Sequence, residues 1–126
     1  SNAALHWMPH AERVAAARAS AQRPGGRLAA ELGGVGNVAV VQGSAEQAAA
    51  DLGLPRPSWD RYYPTPAQYA GVLEAAGFEV RQVELTDRPT RLAGDDGLAD
   101  WYRVFAHVAL THLQTSDIEA LLGQTE

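Results

Sequence analysis

Apolar positions recur with two different periods along the chain, and together they predict strands alternating with helices. Ala3, Ala4 and Leu5 make a short apolar run that gives way at once to His6, Trp7 and Pro9. That reads as the end of a buried strand turning through a loop into a helix. From Pro9 to about Gln22 the spacing is helical, with Val14, Ala17 and Ala21 on one face and Pro9 suited to the first helical position. Pro24-Gly25-Gly26 ends that helix, and Arg27 to Leu32 reads as a short buried strand through Leu28, Ala29, Ala30 and Leu32. Strand, helix, Pro-Gly-Gly and strand make a βαβ unit, which implies parallel strands and a right-handed crossover.

The same reading carries through the rest of the chain. Asn37 is placed to cap a helix running to about Leu52, with Val38, Val41, Ala45, Ala48 and Leu52 on one face and Gly53 as its stop. Residues 54–64 form a Pro-rich aromatic loop. Thr65, Pro66 and Gln68 spell a capping box with proline at the first helical position. Tyr69, Val72, Leu73 and Ala76 form that helix's apolar face, and Gly77 closes it. Phe78 to Leu85 reads as a strand whose alternation slips between Val80 and Val83, which suggests a bulge or burial on both faces. Asp95 or Asp96 can cap a helix carrying the stripe Leu98, Trp101, Tyr102, Phe105, Val108 and Ala109. Ser116 and Glu119 frame a second capping box, before a short last helix.

Composition narrows the partners. The 126 residues are enough for one domain with a core, and a net charge of −5 argues against a nucleic-acid partner. With no cysteine, disulfides and thiolate metal sites are excluded. No apolar run approaches membrane-spanning length and no signal peptide is visible, so a cytoplasmic protein without a membrane partner is expected. All ten basic side chains are arginine. His107 and His112, five positions apart, lack the one-turn spacing that zinc favours, and no metal site is expected.

Candidate chemistry gathers at strand ends and loops. In open α/β sheets ligands lie beyond the carboxyl ends of strands, which puts Asn2, His6 and Trp7 at the rim of a site. His6 is the candidate general base, with a polar rim residue as the plainer alternative. Gly34, Gly36 and Ala39 match the G-x-G-x-x-A spacing of dinucleotide-binding turns. The acid expected about 20 residues on would be Asp60, which sits in a Pro-rich loop rather than at a strand end. These glycines therefore read as a tight turn beside a pocket. Trp59, Tyr62 and Tyr63 either line that pocket or fill the gap between helices and sheet, and Trp101 or Tyr102 either covers its mouth or packs in the core.

Several of these stretches resemble a known family. Asn2-Ala3-Ala4-Leu5-His6-Trp7, Arg23-Pro24-Gly25-Gly26-Arg27, Gly33-Gly34, Thr65-Pro66 with Tyr69, Leu73 to Val80, Arg88-Pro89-Thr90, and Gly97-Leu98 with Trp101 look like the second half of class I S-adenosylmethionine-dependent methyltransferases. Within that family the match is to the trans-aconitate methyltransferase branch.

The resemblance implies an α/β fold: the later strands of a Rossmann-like sheet with flanking helices, the cofactor-binding first half missing. It implies a single truncated domain over residues 1–126, the substrate-side half. It also implies S-adenosyl-L-methionine as cofactor, with Asn2 and Ala3 near its methionyl part. His6, Trp7, Gly33, Gly34, Asn37, Tyr62, Tyr63 and Trp101 would then face a small-molecule substrate. In-line transfer of the sulfonium methyl would need positioning and electrostatics from the protein. The Gly-rich loop after the first strand, the ribose-holding acid and the final antiparallel strand have no counterpart, so the chain is expected to be inactive alone. Lacking an initiator Met, it reads as a piece of a larger domain; Ser1-Asn2-Ala3 is either native strand sequence or a remnant of tag removal, in which case Asn2 carries no native information. A sheet cut in this way would expose an edge, hence the expectation of a homo-oligomer. The alternative is a non-catalytic α/β interaction or ligand-binding domain that self-associates through that edge.

Overall fold

The computed structural model describes residues 1–94, 96–110 and 113–124, the side chains of 107, 108 and 124 excepted. Asp95 and His112 lie outside the described residues, as does the side chain of His107. The chain divides into two compact units, residues 1–37 with 60–87 and residues 38–59 with 88–126.

In the first unit a single 3₁₀ turn, Leu5–Trp7, precedes helix α1, Ala11–Ala21. Helix α1 packs against α3, Pro66–Ala75. Its buried residues are Ala11 and Ala15 with Val14 half-buried, whereas Ala17 and Ala21 are exposed. His10 stands at the N-cap, so Pro9 lies just outside the helix rather than at its first position. Helix α3 starts as its sequence dictates. The Gln68 amide donates to Thr65 Oγ1 at 3.2 Å, and the Thr65 amide donates to Gln68 Oε1 at 2.8 Å. It ends at Gly77, whose φ of +94° lets its amide reach the Glu74 carbonyl and the Phe78 amide reach that of Leu73.

The second unit holds α2, Ala39–Asp51, α4, Gly97–Phe105, α5, His107–Leu110, and α6, Thr115–Gln124. Its core joins Ala45, Ala48 and Ala49 of α2 to Tyr102 and Ala106, with Leu110, Leu121 and Leu122 closing it. The fully buried positions of α2 are all alanine, which lets a neighbouring helix approach closely, and α6 packs against α2. Gly53, with φ +66°, ends α2 through its amide to the Ala50 carbonyl, while Leu54 reaches back to Ala49. At the other end Asn37 is not the cap. Val38 takes that place at φ +54°, a left-handed conformation that a β-branched residue rarely adopts. The stripe expected on one helix from Leu98 to Ala109 is divided between α4 and α5 at Ala106, and Asp96 caps α4 by position without a side-chain hydrogen bond. Helix α6 begins at Thr115, so Ser116 lies inside it instead of before it.

The expected partial Rossmann-like α/β sheet is overturned. Among the described residues the chain is helical and forms no strand ladder. Two of the three expected strands meet at one parallel bridge, Asn2 to Glu31. There the Ser1 ammonium donates to the Ala29 carbonyl at 2.7 Å and the Glu31 amide to the Ser1 carbonyl at 2.8 Å. The parallel sense expected across α1 is thus kept, but in a single contact. Ala29 and Ala30, expected to be buried, are exposed. The third segment, 78–85, is exposed from residue 81 onward, with Val83 45% and Leu85 51% exposed. A strand takes its hydrogen bonds from a neighbour, and apolar patterning cannot supply one.

Candidate functional site

The first unit brings together residues far apart in sequence. His6 and Trp7 come from the 3₁₀ turn, Gly33 and Gly34 from the segment after the Asn2–Glu31 bridge, and Tyr62 and Tyr63 from the loop before α3. The tie at the centre is a hydrogen bond from the Gly33 amide to Nδ1 of His6, 3.1 Å long. The Tyr62 amide donates to the His6 carbonyl at 3.0 Å, and the Val35 amide to the Pro64 carbonyl at 2.9 Å. Two of these ties join backbone atoms alone, whereas the central one also fixes the rotamer of the His6 ring.

Aromatic rings line this place. The His6 ring lies 5.6 Å from that of Trp7 and stacks on Tyr63 at 5.7 Å and 30°. Arg61 lays its guanidinium 3.7 Å from the centre of the Trp7 ring, a cation–π contact. Tyr62 leans on Tyr69 of α3 at 6.3 Å. Gly33 has no room for a side chain. A Cβ there would meet Cε1 of Tyr63 at 2.7 Å and Nδ2 of Asn37 at 2.9 Å. The missing Cβ of Gly33 is therefore what lets the Tyr63 ring approach closely, and that of Gly34 leaves room for Leu85.

Electrostatics follow from this geometry. Burial lowers the pKa of His6 below 6.5, and the nearby Arg61 charge lowers it further. Burial raises the Tyr62 phenol above 10.0, with Glu12 adding to the shift. Both shifts favour the uncharged form, of the His6 imidazole and of the Tyr62 phenol.

The remaining expected residues fall elsewhere. Asn2 is exposed, and its amide Nδ2 donates to Glu31 Oε2 at 3.1 Å, while Ala3 is also exposed. Asn37 is exposed beside Gly33. Trp101 belongs to the second unit, half-buried against its own helix neighbours Tyr102 at 5.7 Å and Phe105 at 5.5 Å. An open groove of about 350 Å³ in that unit is lined by Gly43, Glu46, Gln47, Ala50, Leu54 and Arg56. An exposed Arg56–Glu46 pair, 2.7 Å apart, spans it, and none of the expected site residues reaches it. Among the described residues no three potential metal ligands cluster, and no helix is long and apolar enough to cross a membrane.

Arg61, Glu31 and Pro64 were not singled out in the sequence. Only Arg61 left a signal, as a cation directly before Tyr62 and Tyr63 in an aromatic loop.

Comparison with known proteins supports a methyltransferase. No family model matches the chain. Its sequence is 35% identical over 114 residues to an uncharacterised methyltransferase of Schizosaccharomyces pombe, a match that takes in 84% of this chain and 43% of that protein. The chain thus spans less than half the length of the relative it matches.

Proposed function

We propose that the chain is the substrate-side part of an S-adenosylmethionine-dependent methyltransferase acting on a small molecule, and that by itself it is inactive. The observation that carries this reading is the 35% identity to a methyltransferase across 84% of the chain. The ring cluster of the first unit supports the substrate side of it. His6, Trp7, Tyr62 and Tyr63 offer flat apolar faces with a few polar atoms at their edges, the mixture that small-molecule sites use.

The cofactor does not fit this chain alone. Asn2 and Ala3 are both exposed, and the one polar side chain of the two is engaged by Glu31. Two such residues can touch an edge of S-adenosylmethionine but cannot enclose it. The rest of the cofactor's contacts would come from the part of the protein that corresponds to the unmatched length of the relative. The alternative, a non-catalytic domain associating through a sheet edge, loses its basis because the described residues form no sheet.

Calorimetric titration of S-adenosylmethionine into the chain, and into a polypeptide extended to the length of the relative, tests the reading. The expected result is binding only by the longer protein, followed by methyl transfer when small-molecule acceptors are screened with radiolabelled cofactor. A longer protein that neither binds the cofactor nor transfers a methyl group would overturn it.

A further inference from the structure

The bond from Gly33 to His6 fixes more than the position of the ring. A backbone N–H can only donate, so Nδ1 of His6 accepts and carries no proton. Neutral imidazole has one ring proton, which is therefore on Nε2. The surroundings hold this arrangement from three sides. Tyr62 ties the His6 carbonyl, Tyr63 stacks on the ring, and the missing side chain of Gly33 lets its amide come within 3.1 Å. The charged group beside the ring is the guanidinium of Arg61, and the ring stacked on it is that of Tyr63. Burial and the Arg61 cation both oppose a positive charge on the ring.

We infer that His6 is a hydrogen-bond donor of fixed tautomer, presenting Nε2–H to an acceptor oxygen of a bound molecule, and that Gly33 is the positioning residue that sets it. This assigns the half-buried ring a role opposite to that of general base, because the nitrogen with a free lone pair is already used by the protein. It rests on the proposed methyltransferase reading only in taking the bound molecule to be a methyl acceptor. Such an acceptor would bring a nucleophilic atom that needs no proton removed by this ring.

The test uses the chain as it stands, uniformly labelled with ¹⁵N. Long-range proton–nitrogen correlation spectra distinguish the two neutral tautomers and the imidazolium, and loss of one histidine pattern in His6→Gln assigns the signal. The expected pattern is a single Nε2–H tautomer at neutral pH. Gly33→Ala should lose it in favour of a tautomer mixture. If that variant does not fold, the unmodified chain alone decides the matter. An Nδ1–H tautomer, a mixture, or an imidazolium at neutral pH in the unmodified chain overturns the inference. No methyl transfer is needed for this readout. A protein that fails to methylate but shows the Nε2–H tautomer refutes the functional reading alone, and the converse result refutes this one alone.

Discussion

The hydroxyl of Tyr102 donates to the carbonyl of Val41 at 2.5 Å, joining α4 to the first turn of α2 inside the core of the second unit. Tyr102 is fully buried, and burial pushes its pKa up from 10.0 to about 12, against a smaller opposing effect of the Ala45 backbone. An acid whose folded pKa is raised holds its proton longer when folded than when unfolded. Stability is therefore intact below pH 10 and falls as pH rises from 10 towards 12. Across that window the loss should reach roughly 2–3 kcal/mol. Tyr102→Phe should cost about 1 kcal/mol at neutral pH through the abandoned carbonyl and should remove the Tyr102 part of the alkaline loss, leaving the part that comes from the raised phenols of Tyr62 and Tyr69. Urea denaturation at neutral and alkaline pH measures both.

His6 gives the opposite dependence, on the acid side. Its folded pKa lies below 6.5, so the unfolded chain takes up a proton first as pH falls. Its contribution is present above pH 6.5 and is lost on acidification towards the folded pKa. His6→Asn puts an acceptor oxygen near the place of Nδ1 and should keep the bond from Gly33, whereas His6→Gln should not. The expected gap in unfolding free energy is about 1 kcal/mol in favour of Asn, with neither variant showing the acid loss. Denaturant melts at neutral and mildly acid pH decide it.

At Gly33 and Gly34 an added methyl group meets different obstacles. Gly33→Ala drives a Cβ into the Tyr63 ring at 2.7 Å and should cost roughly 1–3 kcal/mol, with loss of the ring stack. Gly34→Ala meets the far end of Leu85 at 2.6 Å, an exposed side chain that can turn away. It should cost less than half as much. A pair of thermal melts ranks them, and equal costs would show that backbone strain and not ring contact sets the penalty.

The start and stop of α3 should each be separable. Thr65→Ala removes the capping-box acceptor for the Gln68 amide and should destabilise by about 0.5–2 kcal/mol. Gly77→Ala must hold φ near +94° with a Cβ and should cost about 1–2 kcal/mol. Both losses should appear in denaturant midpoints with unchanged slopes, as expected for local defects in a folded unit.

Those same residues explain what could be read from the chain. Thr65, Pro66, Gln68 and Gly77 define α3 by bonds between near neighbours, and Gly53 ends α2 in the same way. The strands at 27–32 and 78–85 were not legible, because their hydrogen bonds depend on distant segments. Leu28 to Leu32 has the composition of a buried strand, yet among the described residues its one bridge is from Glu31 to Asn2, with Ser1 bonded alongside to Ala29 and Glu31. Val38 was hidden for another reason. Asn37 is the better cap by chemistry, but the chain turns at Gly36, φ +80°, and two residues later places valine in a conformation its own preferences oppose.

Much of the ring cluster was visible in the sequence. His6, Trp7, Gly33, Gly34, Tyr62 and Tyr63 were marked as candidates, and the fold gathers them although the sheet that motivated several of them does not form. Asn2, marked for a cofactor, donates its side-chain amide to Glu31, and Trp101 belongs to the other unit. The direction of the Gly33–His6 bond, which decides what His6 can do, is a matter of a few ångströms in the folded chain and leaves no trace in composition or spacing.

The guanidinium of Arg61 over Trp7 makes the cluster its own optical reporter. Of the three indoles, Trp59 and Trp101 lie in the second unit, leaving Trp7 as the emitter of the first. It is 41% exposed and bordered by an imidazole and a cation, so its fluorescence answers to whatever covers the ring or draws Arg61 away. With Trp59 and Trp101 replaced by phenylalanine, a library of unlabelled compounds could be screened by emission alone, before any methyl acceptor is known.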